Sequence, residues 1–254
     1  MPRSLFLKAA IQATKRAEKL ILEYFTKQPR VHRKPDRSPI TRADREAEKL
    51  IKETLKAAFP SHNFLGEEYG AENTGSKFTW VIDPIDGTKN FTRKLPYFTT
   101  EILLMKGKEL ILGVSNAPGL FSLAFAEKGS GAYVNRKRVT VSKIDSLPDA
   151  YVSLGGVKYF DQTKQTKRMF FLVNQAYAYR SFGDAWAYHW LAEGKLDVIA
   201  EASVKIWDIG AVALIVEEAG GQVSDLRGKP LTLSSTSILA TNGKLHKPVL
   251  DIFT

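Results

Sequence analysis

Residues 79–91 read TWVIDPIDGTKNF. The apolar run Trp80-Val81-Ile82 stops at Asp83, and Asp86 follows three residues later, just before Gly87 and Thr88. Aromatic and β-branched residues in an unbroken run predict a short strand over 78–83. The C-terminal end of such a strand is where open sheets place ligands. Pro84 lacks a backbone N–H and has a fixed φ, so it stiffens the turn and holds both carboxylates forward. Gly87 lets the backbone approach a ligand closely, and Thr88 adds a hydroxyl. Two readings fit these residues. One is a surface turn. The other is a site for a hard divalent cation, which favours carboxylates together with water and phosphate oxygens.

On the N-terminal side, Leu5, Ala9, Ala13, Ala17, Leu20, Ile21 and Tyr24 recur at helical spacing and predict a helix within 3–27. SPITRADREAEKLIKETLKAAFP (38–60) predicts a second helix, opened by Thr41 and closed before Pro60. Its apolar stripe is Ile40, Ala43, Ala47, Leu50, Ile51 and Ala58. On the C-terminal side, strand-like runs at 98–106, 109–116 and 120–126 are joined by KGKE and APGL, both good hairpin turns. GSGAYVNRKRVTVS (129–142) predicts further short sheet segments. KIDSLPD (143–149) marks a seam that divides the chain into subdomains 1–145 and 146–254. Beyond it, strands at 150–154, 177–181, 196–200, 222–225 and 237–241 alternate with helices near 161–176, 184–193, 208–219 and 244–252. That alternation implies an α/β (α+β) fold of sheets layered with helices.

The 254 residues are 44% hydrophobic, enough for a sizeable core in one large domain or two intimate ones. No apolar run approaches the ~18 residues a membrane span needs. The N-terminal segment mixes Lys, Arg and Glu into its apolar pattern, unlike a signal peptide. The absence of cysteine excludes a disulfide framework and thiolate chemistry. A cytoplasmic enzyme is the expected class. A net charge of +10 attracts anions such as phosphorylated metabolites, RNA or membrane surfaces. The densest basic cluster, RVHRKPDR (30–37), reads as a solvated loop, so neither nucleic acid nor membrane is the expected partner.

Two further acidic stretches bear on the opening question. FLGEEYG (64–70) sets Glu67 and Glu68 in a Gly-flanked loop after a short apolar piece, which by itself reads as a surface turn. IWDIGAVALIVEEAGG (206–221) opens a helix with Asp208 in its first turn, where the helix dipole stabilises an acid.

Taken together and in this order, GEE, WVIDPIDGTKNF and WDIGAVALIVEEAGG resemble the inositol monophosphatase family of Mg²⁺-dependent, lithium-sensitive sugar-phosphate phosphatases. The similarity covers nearly the whole chain. It implies a layered α-β-α-β-α sandwich of the inositol monophosphatase and fructose-1,6-bisphosphatase type, usually a homodimer, with two to three Mg²⁺ ions per site. It places one metal on Glu67, Asp83 and the Ile85 carbonyl, and a second on Asp83, Asp86 and Asp208. A third, near Glu67, would help position the attacking water. Gly87 and Thr88 would offer backbone N–H groups to the phosphate. Thr41 and Asp44 match the family's T-x-x-D position, where Asp44 and the Thr88 hydroxyl form a proton relay. A plain capping box explains the same two residues.

Substrate choice points downstream, to RSFGDAWAYHWLAEGKLDVIAE (180–201). GDAWAY, SPITRADREAE (38–48) and DGTKNF are similar to the histidinol-phosphate phosphatase branch. A physical reason supports that branch: histidinol phosphate is a small phosphate ester carrying an ammonium and an imidazole. Asp184 and Glu201 could pair with both by charge-assisted hydrogen bonds. The plainer alternative for Asp184 is the N-cap of the following helix. Asn90 and Arg180 are candidates for the pocket rim. His189, mid-helix among aromatic residues, reads as a packed core histidine. The family usually has Ala where this chain has Gly210, a helix position where glycine costs about 1 kcal/mol. Gly210 could widen the pocket or ease a close backbone contact. The alternatives are an inositol-1-phosphate or fructose-1,6-bisphosphate phosphatase of broad specificity and, from another class, a protein of this fold that binds RNA or the transcription machinery.

Overall fold

The computed structural model describes residues 4–27, 31–33 and 39–254. Most of the basic cluster at 30–37 lies outside them. In chain order the first part holds α1 (Leu5–Thr26), β1 (Val31–Arg33), β2 (Pro39–Thr41), α2 (Arg42–Ala58), β3 (Asn63–Gly66), β4 (Gly70–Glu72), β5 (Phe78–Asp86), α3 (Thr88–Thr92), β6 (Thr99–Lys106), β7 (Glu109–Ala117), β8 (Ser122–Glu127), β9 (Ala132–Val134) and β10 (Lys137–Val139). The second part holds β11 (Tyr151–Leu154), α4 (Val157–Gln162), α5 (Thr166–Gln175), β12 (Ala178–Arg180), α6 (Ala187–Ala192), β13 (Val198–Ala202), α7 (Ile206–Glu218), β14 (Gln222–Ser224), β15 (Ser237–Thr241) and α8 (His246–Phe253).

Eight strands form one sheet in the order β10-β9-β8-β7-β6-β5-β3-β4, and five form a second in the order β12-β11-β13-β15-β14. The first is antiparallel except where β3 runs parallel to β5. In the second, β12, β11 and β13 are parallel and β15 and β14 close the edge antiparallel. Helices α1 and α2 cover one face of the large sheet, burying Ala13, Ala17, Ile21, Ala47 and Ile51 against Trp80, Ile82, Ile102 and Leu104. Helices α6 and α7 lie between the two sheets. Helices α4, α5 and α8 cover the outer face of the small sheet around Phe160, Leu172, Val249 and Phe253. The result is the layered α-β-α-β-α sandwich. No helix among the described residues is long and apolar enough to cross a membrane.

Helix α7 explains the central layer. It is apolar on every side, as a helix buried on every side must be, and Ile209 through Val216 are all buried. Two glycines set how closely it lies on the large sheet. A Cβ at Gly113 would fall 2.4 Å from the Ala211 carbonyl oxygen, so β7 touches the helix backbone there. A Cβ at Gly210 would fall 2.5 Å from a Leu103 methyl of β6. Gly210 therefore serves close packing of helix on sheet and does not widen the pocket.

Several local expectations shift. The helix expected over 161–176 is two helices, broken where Lys164 turns left-handed at φ +60. The helix expected from residue 184 begins at Ala187, because Gly183 (φ +62) and Asp184 (φ +56) form a left-handed turn before it. Strand β5 runs on through Asp86, and the loop around Glu67 is the tip of a β3–β4 hairpin. The β1–β2 hairpin had no signal in the apolar pattern.

Candidate active site

The cavity lies where β5 ends, between the two sheets. It has a volume of about 220 Å³ and is lined by Glu67, Asp83, Asp86, Gly87, Thr88, Asp184, Glu201 and Asp208, among others. Between Asp83 and Asp86 the register with β6 slips, from Asp83 opposite Glu101 to Asp86 opposite Thr99. Pro84 suits this bulge because no ladder hydrogen bond is asked of its nitrogen. The Pro84 carbonyl accepts the Thr100 hydroxyl at 2.8 Å, which fixes the irregularity to β6.

Each acid is held from the backbone. Asp83 Oδ1 accepts the Ile85 N–H at 2.9 Å. Asp86 Oδ2 accepts the Ala185 N–H at 2.6 Å, a bond from the second half of the chain. Asp208, in the first turn of α7, accepts the Lys205 N–H at 2.7 Å. Glu67 sits at the hairpin tip, its own N–H donated to the Ile82 carbonyl at 3.1 Å. Asp83, Asp86 and Asp208 each offer a carboxylate oxygen within 4.8 Å of the others.

Burial and mutual repulsion act on these groups together. Burial raises the Asp83 carboxyl well above its ordinary pKa, and Glu67, Asp86 and Asp208 add to the shift. Asp86 is raised likewise, by burial and then by Asp184 and Asp208. Asp208 is pushed up to about 7, mainly by burial, against the Lys205 hydrogen bond that lowers it. Acids crowded in this way regain their charge when a cation joins them. The donor set is entirely oxygen, as a hard ion such as Mg²⁺ requires.

Thr88 begins α3, and its hydroxyl lies 3.0 Å from the Ile85 carbonyl and 3.3 Å from Asp44 Oδ1. Asp44 is buried, and its Oδ2 accepts both the Thr41 N–H at 2.7 Å and the Thr41 hydroxyl at 2.6 Å. The Thr41 hydroxyl in turn accepts the Ala43 N–H at 3.1 Å. So Asp44 caps its helix with one oxygen and turns the other toward Thr88. Gly87 stands at φ +83, and a Cβ there would press on the Tyr97 carbonyl at 2.8 Å and on Asp184 at 3.2 Å. Only glycine fits that corner.

A second wall carries Asp184 and Glu201, and it meets the first where Asp184 approaches Gly87. Asp184 does not cap α6. Its carboxylate instead accepts the Asn90 side-chain N–H, and Asn90 also donates to the Tyr97 carbonyl at 2.9 Å. Asn90 thus reaches the cavity through Asp184. Glu201 accepts the Tyr188 hydroxyl at 2.9 Å. Burial pushes Asp184 up to about 6, opposed by Lys89 and Asn90, and pushes Glu201 up to about 7, opposed by Tyr188. Arg180 does not join them: it is exposed on β12, donates to the Tyr179 carbonyl at 2.7 Å and does not line the cavity. His189 is a core residue, hydrogen-bonded at 2.7 Å to both Ser122 and Ser115.

Residues 3–253 match the inositol monophosphatase family. The chain belongs to that family. A histidinol-phosphatase of Streptomyces coelicolor is 37% identical over 230 residues, covering 87% of this chain and 86% of its own. A fructose-1,6-bisphosphatase/inositol-1-monophosphatase of Thermotoga maritima is 35% identical over 225 residues, covering 84% and 81%. Among solved structures, the extragenic suppressor protein SuhB of Bartonella henselae superimposes with a TM-score of 0.92 at 29% identity, covering 99% of both chains. The chain is therefore a phosphatase of the inositol monophosphatase family. That family is metal-dependent in general, and the Asp83-Asp86-Asp208 cluster could hold a metal ion.

Some residues of this inositol monophosphatase-family site carried no reading in the sequence. Lys89 and Tyr159 stand on the cavity rim, the ammonium donating to the Tyr159 hydroxyl at 2.6 Å across the two halves of the chain. Tyr188 could have been anticipated from GDAWAY only by placing it one helical turn from Asp184. Glu48 sits four residues after Asp44 on the same face of α2, a spacing that ordinary helix surfaces also show.

Proposed function

We propose that the chain is a Mg²⁺-dependent phosphate monoester hydrolase whose substrate is L-histidinol phosphate, cleaved by water to L-histidinol and phosphate. The observation that carries the substrate choice is the pair Asp184 and Glu201. Both line the cavity together with Gly87 and Thr88, Asp184 beside Gly87 itself, and burial holds both carboxyls above their ordinary pKa. Such a wall gains when a cationic substrate group arrives and pairs with it. The histidinol-phosphatase names of several relatives agree.

On this reading Glu67, Asp83, the Ile85 carbonyl, Asp86 and Asp208 hold the metal. Bound there, Mg²⁺ would neutralise the phosphate dianion, acidify a water and stabilise the departing alkoxide. The backbone N–H groups of Gly87 and Thr88 orient the phosphate at the start of α3. Thr88 and Asp44 take up the proton released by the attacking water. Asp44 suits that task because burial raises its pKa while its Thr41 bonds keep it in place. Asp184 and Glu201 orient the alcohol, with Asn90 and Tyr188 holding them.

A second reading is a broader inositol-1-phosphate or fructose-1,6-bisphosphate phosphatase. Lys89 favours the bisphosphate, since an exposed ammonium on the rim would attract its second phosphate. We also read the protein as a cytoplasmic homodimer. Exposed Leu95, Tyr97 and Phe121 belong to adjoining loops, and Tyr97 stacks on Trp186 at 5.0 Å, so an apolar face is offered. Sedimentation at twice the chain mass supports a dimer; the monomer mass at working concentration refutes it. Phosphate release over a panel of phosphorylated metabolites tests the function. L-Histidinol phosphate should lead, EDTA should remove the activity and Mg²⁺ should restore it. A lead for inositol-1-phosphate overturns the substrate; activity that survives chelation overturns the mechanism.

A further inference from the structure

Helix α2 presents two buried acids to the site, one helical turn apart. Asp44 turns toward Thr88. Glu48, 1% exposed, turns toward the hairpin tip that carries Glu67. Its Oε2 accepts the Glu68 N–H at 2.7 Å and its Oε1 accepts the Tyr69 N–H at 3.1 Å. The carboxylate lies flat against Gly66: a Cβ on that glycine would fall 1.8 Å from Oε1 and 2.4 Å from Cδ. On the other side, the Glu67 N–H is donated to the Ile82 carbonyl of β5. The backbone around Glu67 is thus gripped from both sides, by a strand and by a side-chain fork.

This arrangement has an electrostatic cost. A buried carboxylate is expensive unless it is well hydrogen-bonded, and Glu48 adds negative charge close to Glu67. A glutamine or an apolar residue would relieve that repulsion. What neither can supply is a fork that accepts two successive amides at once. An ionised carboxylate is acceptor-only on both oxygens, whereas an amide side chain turns a donor toward one of the two N–H groups.

We propose that Glu48 is a positioning residue for the metal ligand Glu67. It acts by fixing the Glu68 and Tyr69 amides, with Gly66 leaving the room it needs. The inference rests on the metal-dependent phosphatase reading for the role of Glu67. The grip itself does not depend on that reading.

Two variants and two readouts test it. Glu48→Gln leaves one amide without an acceptor. Gly66→Ala drives a methyl group into the same carboxylate while leaving Glu48 in the sequence. In metal-free protein, hydrogen–deuterium exchange at the Glu68 and Tyr69 amides should quicken about tenfold or more in both variants, with α1 and β7 unchanged. Mn²⁺ titrated in as a Mg²⁺ substitute, with free ion followed by its EPR signal, should bind about 10–100-fold more weakly, the usual cost of losing a partner that orients a ligand. The Mg²⁺ concentration for half-maximal activity should rise in step. Because both changes break one interaction, the double variant should resemble either single one and not their product.

A merely structural Glu48 would quicken exchange at 68–69 and lower the melting temperature while leaving Mn²⁺ affinity as in the wild type; that result overturns the inference, as does unchanged exchange at 68–69. Multiplicative effects in the double variant overturn the shared mechanism. A wild-type protein that neither binds Mn²⁺ nor needs Mg²⁺ sinks the phosphatase reading instead, and with it the role given to Glu67. If Glu48→Gln does not fold, Gly66→Ala carries both readouts.

Discussion

The two walls of the cavity are built differently. Asp83, Asp86 and Asp208 stand at the end of a strand and the start of a buried helix, and each is tied to a backbone N–H: Ile85, Ala185 and Lys205. Asp184 and Glu201 are held by side chains, Asn90 and Tyr188, and Asp184 stands in a left-handed turn. Backbone ties cannot be changed without moving the fold, whereas side-chain ties change with one substitution. The first wall therefore suits a chemistry common to many phosphate esters. The second suits a choice of alcohol that can differ between members of one family.

The contrast can be broken at its strong end first. Asp83→Asn should lower phosphate release from every substrate at least about a hundredfold, since a charge aimed at the reacting centre is lost. Far-ultraviolet circular dichroism should remain that of a folded protein. A variant that loses one substrate and keeps another would place Asp83 on the wrong wall. Glu201→Gln is the counterpart: it should raise KM for L-histidinol phosphate about tenfold or more, the lower range for breaking a buried charge pair, and move inositol-1-phosphate much less. Steady-state kinetics on both substrates decides. Asn90→Ala should act more weakly in the same direction, a few-fold on KM, because Asp184 stays in place without its donor.

The smallest effect concerns what stands behind the second wall. His189 ties α6 to β7 and β8, and burial pulls its pKa from the ordinary value down to about 3. A folded-state pKa below the unfolded one means that the unfolded chain takes the proton first. Its contribution is complete above the unfolded value of about 6.5 and drains away as pH falls toward 3, at no more than about 1.4 kcal/mol per pH unit. The buried acids, with raised pKa values, push the other way. The comparison must therefore be of wild type with His189→Gln, by urea denaturation of the metal-free protein at pH 7 and pH 5. The wild type should lose more stability than the variant between the two. Equal losses would show that His189 is not held neutral.

The same contrast governs what could be read from the sequence. Asp83 and Asp86 stood out because an apolar strand, a proline and a glycine surround them within a few residues. Asp208 was marked by its helix start. The layers followed from strand and helix alternation. Asp184 could be read as a substrate contact or a helix cap; the cap is not made, because the residue stands in a left-handed turn with its carboxylate on Asn90 and beside Gly87. Arg180 was a candidate for the pocket rim, yet its guanidinium folds back on its own strand. The kink at Lys164 left no proline or glycine to announce it. Glu48 was invisible because its partners are backbone amides some 20 residues away, and backbone amides carry no signature.

The division of labour between the walls is tested most directly by the ratio of kcat/KM for L-histidinol phosphate to that for inositol-1-phosphate, measured at saturating Mg²⁺ in wild type and in Asp184→Ser. The ratio should favour L-histidinol phosphate in the wild type and fall by about tenfold or more in the variant, with inositol-1-phosphate hydrolysis largely retained. A wild-type ratio that favours inositol-1-phosphate, or a ratio that Asp184→Ser leaves unchanged, would contradict it.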